Sequence, residues 1–284
     1  MRCTVFRATI DILPEVALLE IFYFYVDEAR IDAWYTLVHV CRKWRNIVFG
    51  SPRRLNLRLY CRATTPVIKT LDVWPLLPIV IWVYAHELLG VDNVIAALEH
   101  NNCISRIDLF HVSNSQLEKI LPAMQKPFPE LTRLDIQLSD ETAPVVSANP
   151  ASFLGGSAPR LQTLILSGIP CPGLPKLLLS ATQLVDLDLG RIPDFGYISP
   201  EDIVTCLSVL TKLERLLIGF ESPCRPNLES RHLPPSKRTL LPVLTEFRFK
   251  GVGEYLEDLV ARIDAPPLHS LGTTLFYQLL FDIP

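Results

Sequence analysis

Along the first sixty residues apolar side chains recur on every side of a helical repeat. Pro14 begins a helix, because the N–H it lacks is one that no helix start can pair. From Glu15 to Val26, Val16, Leu18, Leu19, Ile21, Phe22, Phe24 and Tyr25 leave almost no polar face. A helix apolar all round must be covered on more than one side. A second helix is predicted from Asp32 through Trp34, Leu37, Val38 and Cys41, with a bend or restart near His39. Trp44, Ile47, Val48 and Phe49 continue at helical spacing until Gly50-Ser51-Pro52 stops them. Sixty residues cannot bury this many large side chains alone. Either the neighbouring part of the chain or a separate partner must take the excess.

After residue 53 the period changes. The string apolar-x-x-apolar-x-apolar starts at Leu76, Ile104, Leu131, Leu161, Leu184, Leu213 and Leu244, with its second apolar position at 79, 107, 134, 164, 187, 216 and 247. A degenerate copy at Leu268-x-x-Leu271 has Thr273 in the last apolar place, and Leu55-x-Leu57-x-Leu59 predicts an earlier strand. Helices are predicted between the strands from Asp92 to Glu99, from Asn114 to Met124 and from Glu254 to Ile263. Another begins at Ser199-Pro200-Glu201-Asp202, where a capping serine, a first-turn proline and two acids suit a helix start. The units are 23 to 31 residues long and resemble leucine-rich repeats. The resemblance implies a solenoid with parallel strands on the concave side and helices on the convex side. No unit can bury its apolar face by itself, so stability comes from stacking.

Three blocks in the first sixty residues resemble an F-box: Ile12-Leu13-Pro14-Glu15-Val16, then Leu19-Glu20-Ile21-Phe22, then Val40-Cys41-Arg42-Lys43-Trp44-Arg45. They occur in the family's order and at its spacing. The aromatic run Phe22-Tyr23-Phe24-Tyr25 departs from the usual first helix. The resemblance implies an α/β chain in two parts: a three-helix F-box-like module over 1–52 and a leucine-rich-repeat-like solenoid over 53–284 with an incomplete last repeat. Fungal F-box proteins with irregular repeats are the most similar family. It also implies docking onto the Skp-type adaptor of a cullin ubiquitin ligase. Leu13, Pro14, Val16, Ile21, Phe22, Val40, Cys41 and Trp44 are the adaptor-binding residues expected on that basis, with Trp44 also a candidate for the module's own core. The expected role is target recognition without catalysis. A protein-binding scaffold outside any ligase is the alternative.

In a strand, alternate side chains face opposite ways. The residues between the apolar positions of each string therefore fall on the concave face, where a target protein would touch. They include Arg106, Asp108, Phe110, Arg133, Asp135, Asp188, Arg215 and Arg248. Val80 falls in the same column as Asp108. An ordinary solvated sheet face remains the other reading.

Composition narrows the function classes. The chain has 284 residues, 49% hydrophobic and 20% charged, which permits a buried core. The formal net charge is −3, so no global basic field points to nucleic acid. Residues 1–60 carry nine Lys/Arg against six Asp/Glu, and the other 224 carry 18 against 24. The run Arg42, Lys43, Arg45, Arg53, Arg54, Arg58 and Arg62 contains no acid; it reads as a solvated helix end or as a surface for an acidic partner. The seven cysteines have no Cys-x-x-Cys spacing, and Asn-x-Ser/Thr is absent, so reduced thiols in the cytoplasm or nucleus are expected. Arg2, Arg7 and Asp11 break any signal-peptide core, and the ten-residue run Leu76 to Ala85 is too short for a bilayer, which needs about 20. The six histidines lack metal-ligand spacing, Asp186 and Asp188 lack an acid or nucleophile of fixed role, and Gly155-Gly156-Ser157 reads as a turn. No cofactor, metal, nucleic acid or membrane is expected. The Pro-rich run Ser222 to Pro242 reads as an insertion, and Leu275 to Phe281 as a lid over the last repeat.

Overall fold

The computed structural model describes residues 13–28, 33–62, 77–84, 91–139, 153–170, 173–223 and 238–276. Of these, 13–60 with 77–78 form one compact unit, and 61–62 with 79–276 form a second.

The first unit holds three helices: α1 (Glu15–Glu28), α2 (Ala33–Val40) and α3 (Arg42–Gly50). The predicted restart falls at Cys41, whose backbone is extended (φ −157°, ψ 169°). Its Sγ accepts the Trp44 backbone N–H at 3.5 Å, so Cys41 works as an N-cap. Leu18 and Phe22 of α1, Trp34, Leu37 and Val38 of α2, and Ile47 and Val48 of α3 are buried together. The Phe22 ring lies 4.7 Å from that of Trp44. Trp34 stacks on Tyr35 and donates its indole N–H to the Arg58 carbonyl at 3.1 Å.

The strand expected over Leu55, Leu57 and Leu59 starts late. After Pro52 the chain closes turns instead: Leu55 N–H bonds to Ser51 O, Leu57 N–H to Pro52 O, and Asn56 has φ 47°. All three leucines are buried, so the period-two pattern came from a buried turn running into a short strand. That strand, β1 (Leu59–Cys61), carries the chain from the first unit into the second.

Nine strands form one sheet, in the order β1, β2 (Ile79–Tyr84), β3 (Ile104–Val112), β4 (Arg133–Leu138), β5 (Thr163–Ser167), β6 (Asp186–Ile192), β7 (Arg215–Phe220), β9 (Glu246–Gly251) and β11 (Ser270–Leu275). From β2 to β11 every pairing is parallel. β8 (Thr239–Leu240) and β10 (Ile263–Asp264) pair separately. Ile107, Leu134, Leu164, Leu187, Leu216 and Phe247 occupy one register row and are all buried. The same backbone bond recurs at five strand entries: the N–H of Thr132, Gln162, Val185, Glu214 and Thr245 each bonds to a carbonyl one repeat earlier, at 2.8 to 2.9 Å. That recurring bond fixes the register of the stack.

One predicted register is corrected. In β2 it is Ile81 and Val83 that align with Ile107 and Leu109, and Trp82 takes the place beside Asp108 assigned to Val80. The strand thus pairs two residues further along than predicted; a one-residue break, with Ile79 opposite Ile104 and Val80 opposite Arg106, precedes the regular ladder, and Val80 is buried.

The helices of the second unit are α4 (Val91–Leu98), α5 (Asn114–Ile120), α6 (Leu174–Ser180), α7 (Pro200–Leu207) and α8 (Gly253–Arg262). The helix predicted to run to Met124 ends at Ile120, because Pro122 has no N–H to give and the chain tightens into a 3₁₀ turn over Leu121–Gln125. Ser199 caps α7 as predicted, its Oγ accepting the Asp202 N–H at 3.1 Å. Gly155-Gly156 does form a turn, with φ 60° and 67°. The chain is an α/β protein with a parallel sheet and repeat-like units. No helix among the described residues is long and apolar enough to cross a membrane. Leu76, most of the Pro-rich run and 277–281 of the expected lid lie outside the described residues.

Candidate functional site

The sheet of the second unit has one face formed by the buried leucine rows and one open face. On the open face the first strands are aromatic. Trp82 packs edge-on against Tyr84 at 4.8 Å, Tyr84 lies 4.9 Å from Phe110, and the Arg62 guanidinium sits 6.0 Å from the Trp82 ring. Phe110 was expected here; Trp82 and Tyr84 were not named, although the two-residue shift of β2 leaves the face of each side chain unchanged.

Next comes a ladder of charge. Arg106 Nε donates to Asp108, which also accepts from Arg133 Nε at 3.1 Å. Arg133 Nη2 donates to Asp135 at 2.8 Å, and Gln137 Nε2 donates to the other oxygen of Asp135 at 2.9 Å. Asp108 is 0% and Asp135 2% exposed. Both were expected on the target-facing surface, and that placement is corrected. Their carboxylates are covered by Arg106, Arg133 and Gln137, and it is the guanidinium groups that reach solvent. Burial pushes the Asp135 carboxyl up, opposed by the Gln137 hydrogen bond and the Arg133 charge.

Between β6, β7 and β9 the face opens into a depression of about 180 Å³, lined by Asp186, Asp188, Arg215, Leu217, Glu246 and Arg248. Arg215 Nη2 pairs with Asp186 at 2.8 Å, and Arg248 Nη2 with Glu246 at 2.6 Å. Asp188 forms no hydrogen bond or ion pair among the described residues. Burial first, then the charges of Asp186 and Asp135, push its carboxyl up to about 6; Arg248 opposes them. Asp188, Arg215 and Arg248 were all predicted for this face, and the register brings them together. Glu246 joins them as the partner of Arg248.

A second candidate surface lies on the first unit. Val16 is 64% and Phe24 60% exposed, and Leu13, Pro14, Ile21, Tyr23, Tyr25 and Val40 are exposed with them. Phe22 is only 1% exposed. It was expected to touch an adaptor and is instead the residue that pins α1 to Trp44, which is itself half-buried. Cys41 is half-buried as the α3 cap. Arg54 pairs with Glu20, and Arg45 Nε donates to the Val38 carbonyl at 3.0 Å. Part of the basic run is thus engaged within the unit.

Other reactive residue types are occupied structurally. Burial pushes the Cys61 thiol up to about 12 and that of Cys206 up to about 11, far from a thiolate at neutral pH. Arg262 is buried between Glu201 and Asp258 and ties α8 to α7. Tyr255 donates to the Ile198 carbonyl at 3.0 Å within a cluster of Tyr197, Phe220 and Phe249. Among the described residues no group of three or more His, Cys, Asp or Glu could hold a metal ion.

No family model matches the chain, and no curated protein matches it. Among solved structures, the crystal structure of a Bacteroides fragilis protein from a structural-genomics programme is similar at 12% identity, covering 75% of this chain and 71% of that one, with a TM-score of 0.24. A likeness at that level carries no argument about function.

Proposed function

We propose that the chain is the target-recognition subunit of a cullin-type ubiquitin ligase. In this reading the exposed residues of α1 and the α2–α3 junction take a Skp-type adaptor, and the open sheet face takes the target protein. The observation that carries it is the run of large apolar side chains left in water on α1 and at Val40, in a sequence whose blocks resemble an F-box. A contiguous apolar patch on a soluble surface marks an interaction site. The catalytic chemistry belongs to the ligase partners; this chain raises the local concentration of the target near them.

Co-expression with a Skp-type adaptor tests the reading. The two chains should elute together, and Leu13→Ala with Pro14→Ala should weaken that association while leaving the chain folded. Separate elution of folded chain and adaptor would count against the ligase role and favour a protein-binding scaffold.

A further inference from the structure

We propose that the depression between β6, β7 and β9 seats one arginine or lysine side chain of the bound target, its alkyl stem against Leu217 and its cationic head on the Asp188 carboxylate. The inference rests on the reading that this face holds a target protein, and it names the chemistry the face selects.

The acids in these strand rows are otherwise matched to arginines. Asp108 and Asp135 are held by Arg106 and Arg133, Asp186 by Arg215, and Glu246 by Arg248. Asp188 alone in these rows has no such partner among the described residues, although its carboxylate is half-buried. The register places Ile165 and Leu217 on either side of Asp188, one on each neighbouring strand. Leu217 lines the depression beside the carboxylate, which suits a long side chain that buries its methylenes and keeps its charge at the tip. Space beside the carboxylate depends on Gly190, where a Cβ would stand 3.3 Å from Asp188 Oδ1.

The rim excludes the alternatives. Arg215 with Asp186 and Arg248 with Glu246 are internally neutral pairs, so the uncompensated charge of the depression is that of Asp188. An anion entering it meets like charge. An apolar side chain would seal the carboxylate without a partner, which is costly. A cation satisfies it with a charge-assisted hydrogen bond. The raised Asp188 titration, caused by burial and by the Asp186 and Asp135 charges, agrees with a carboxylate still lacking its counterion.

The test uses the full chain labelled with ¹³C at the aspartate carboxyls and titrated with N-acetyl-arginine amide, N-acetyl-lysine amide and the neutral isostere N-acetyl-citrulline amide. The Asp188 midpoint, about 6 in the free chain, should fall by about one pH unit or more with either cation, since an opposite charge within bonding distance favours the ionised form. Citrulline should leave it in place. The methyl signals of Leu217 should shift saturably with the cations. Asp188→Asn should abolish those shifts, and Glu118→Gln, an equal charge change on the exposed side of α5, should keep them. An unmoved midpoint, an equal response to citrulline, or equal losses in both variants would overturn the proposal. Adaptor co-elution by the same Asp188→Asn chain separates this failure from that of the ligase reading.

Discussion

Asp188 differs from Asp108 by the absence of a guanidinium, and its titration reports that difference. The ordinary aspartate value is 3.8, and in the folded chain it stands at about 6. Between these two pH values the folded state holds more protons than the unfolded one. Stability therefore falls as pH rises through that window and is flat above it. Asp188→Asn removes this titration. The variant should be more stable than the parent at pH 7, by on the order of 1 kcal/mol after solvent screening of a half-exposed group, and equal to it near the lower end of the window. Thermal melts at the two pH values check both the sign and the window. Arg133 is the opposite case, because it bridges two buried carboxylates. Arg133→Met leaves Asp108 to Arg106 and Asp135 to Gln137, and should lower stability by about 3 kcal/mol, as loss of one member of a buried charge network does. The urea midpoint should fall without a change in slope.

At the scale of elements, strands were the most legible feature, since alternation of apolar and polar residues is a direct image of a half-buried sheet. The seven predicted strings each overlap a strand. The alternation failed where tertiary contacts replaced it. In β2, Ile79, Val80, Ile81 and Val83 are all apolar and buried, so nothing in the string itself marked the register, and the observed pairing sets Trp82 rather than Val80 beside Asp108. In β3 and β6, His111 and Arg191 adopt φ 54° and 48° at breaks in the ladder, and neither residue type announces such a conformation. Helix α6 was missed because its start carries no chemical mark: Gly173 stands at the N-cap and no side chain caps it. Helix α7 was legible because its start is chemical as well as periodic. Ser199→Ala removes the acceptor for the Asp202 N–H and should cost about 1 kcal/mol. Thermal unfolding of that variant against Ser208→Ala, whose hydroxyl donates to Thr205 O rather than capping a start, isolates the cap.

For the whole molecule the sequence marked out the kind of each part better than the role of each residue. The three helices and the repeat-like sheet were both expected, and Leu13, Val16, Ile21 and Val40 were expected on a binding surface and are exposed. Phe22 was misassigned for a physical reason: on an all-round apolar helix, periodicity cannot say which flank meets the core, and the Trp44 ring settles it. Asp108 and Asp135 were misplaced because alternation gives the face of a side chain and not whether a neighbouring arginine covers it. Function turns on whether the uncovered flank of α1 takes up another protein chain. Calorimetric titration of the full chain with a purified Skp-type adaptor, repeated at several temperatures, tests that most directly. Binding should saturate with a negative heat-capacity change, the mark of apolar burial, and should be lost in Val16→Asp with Ile21→Asp at an unchanged melting temperature. Absence of binding by the folded parent chain, or binding by the double variant equal to the parent's, would contradict it.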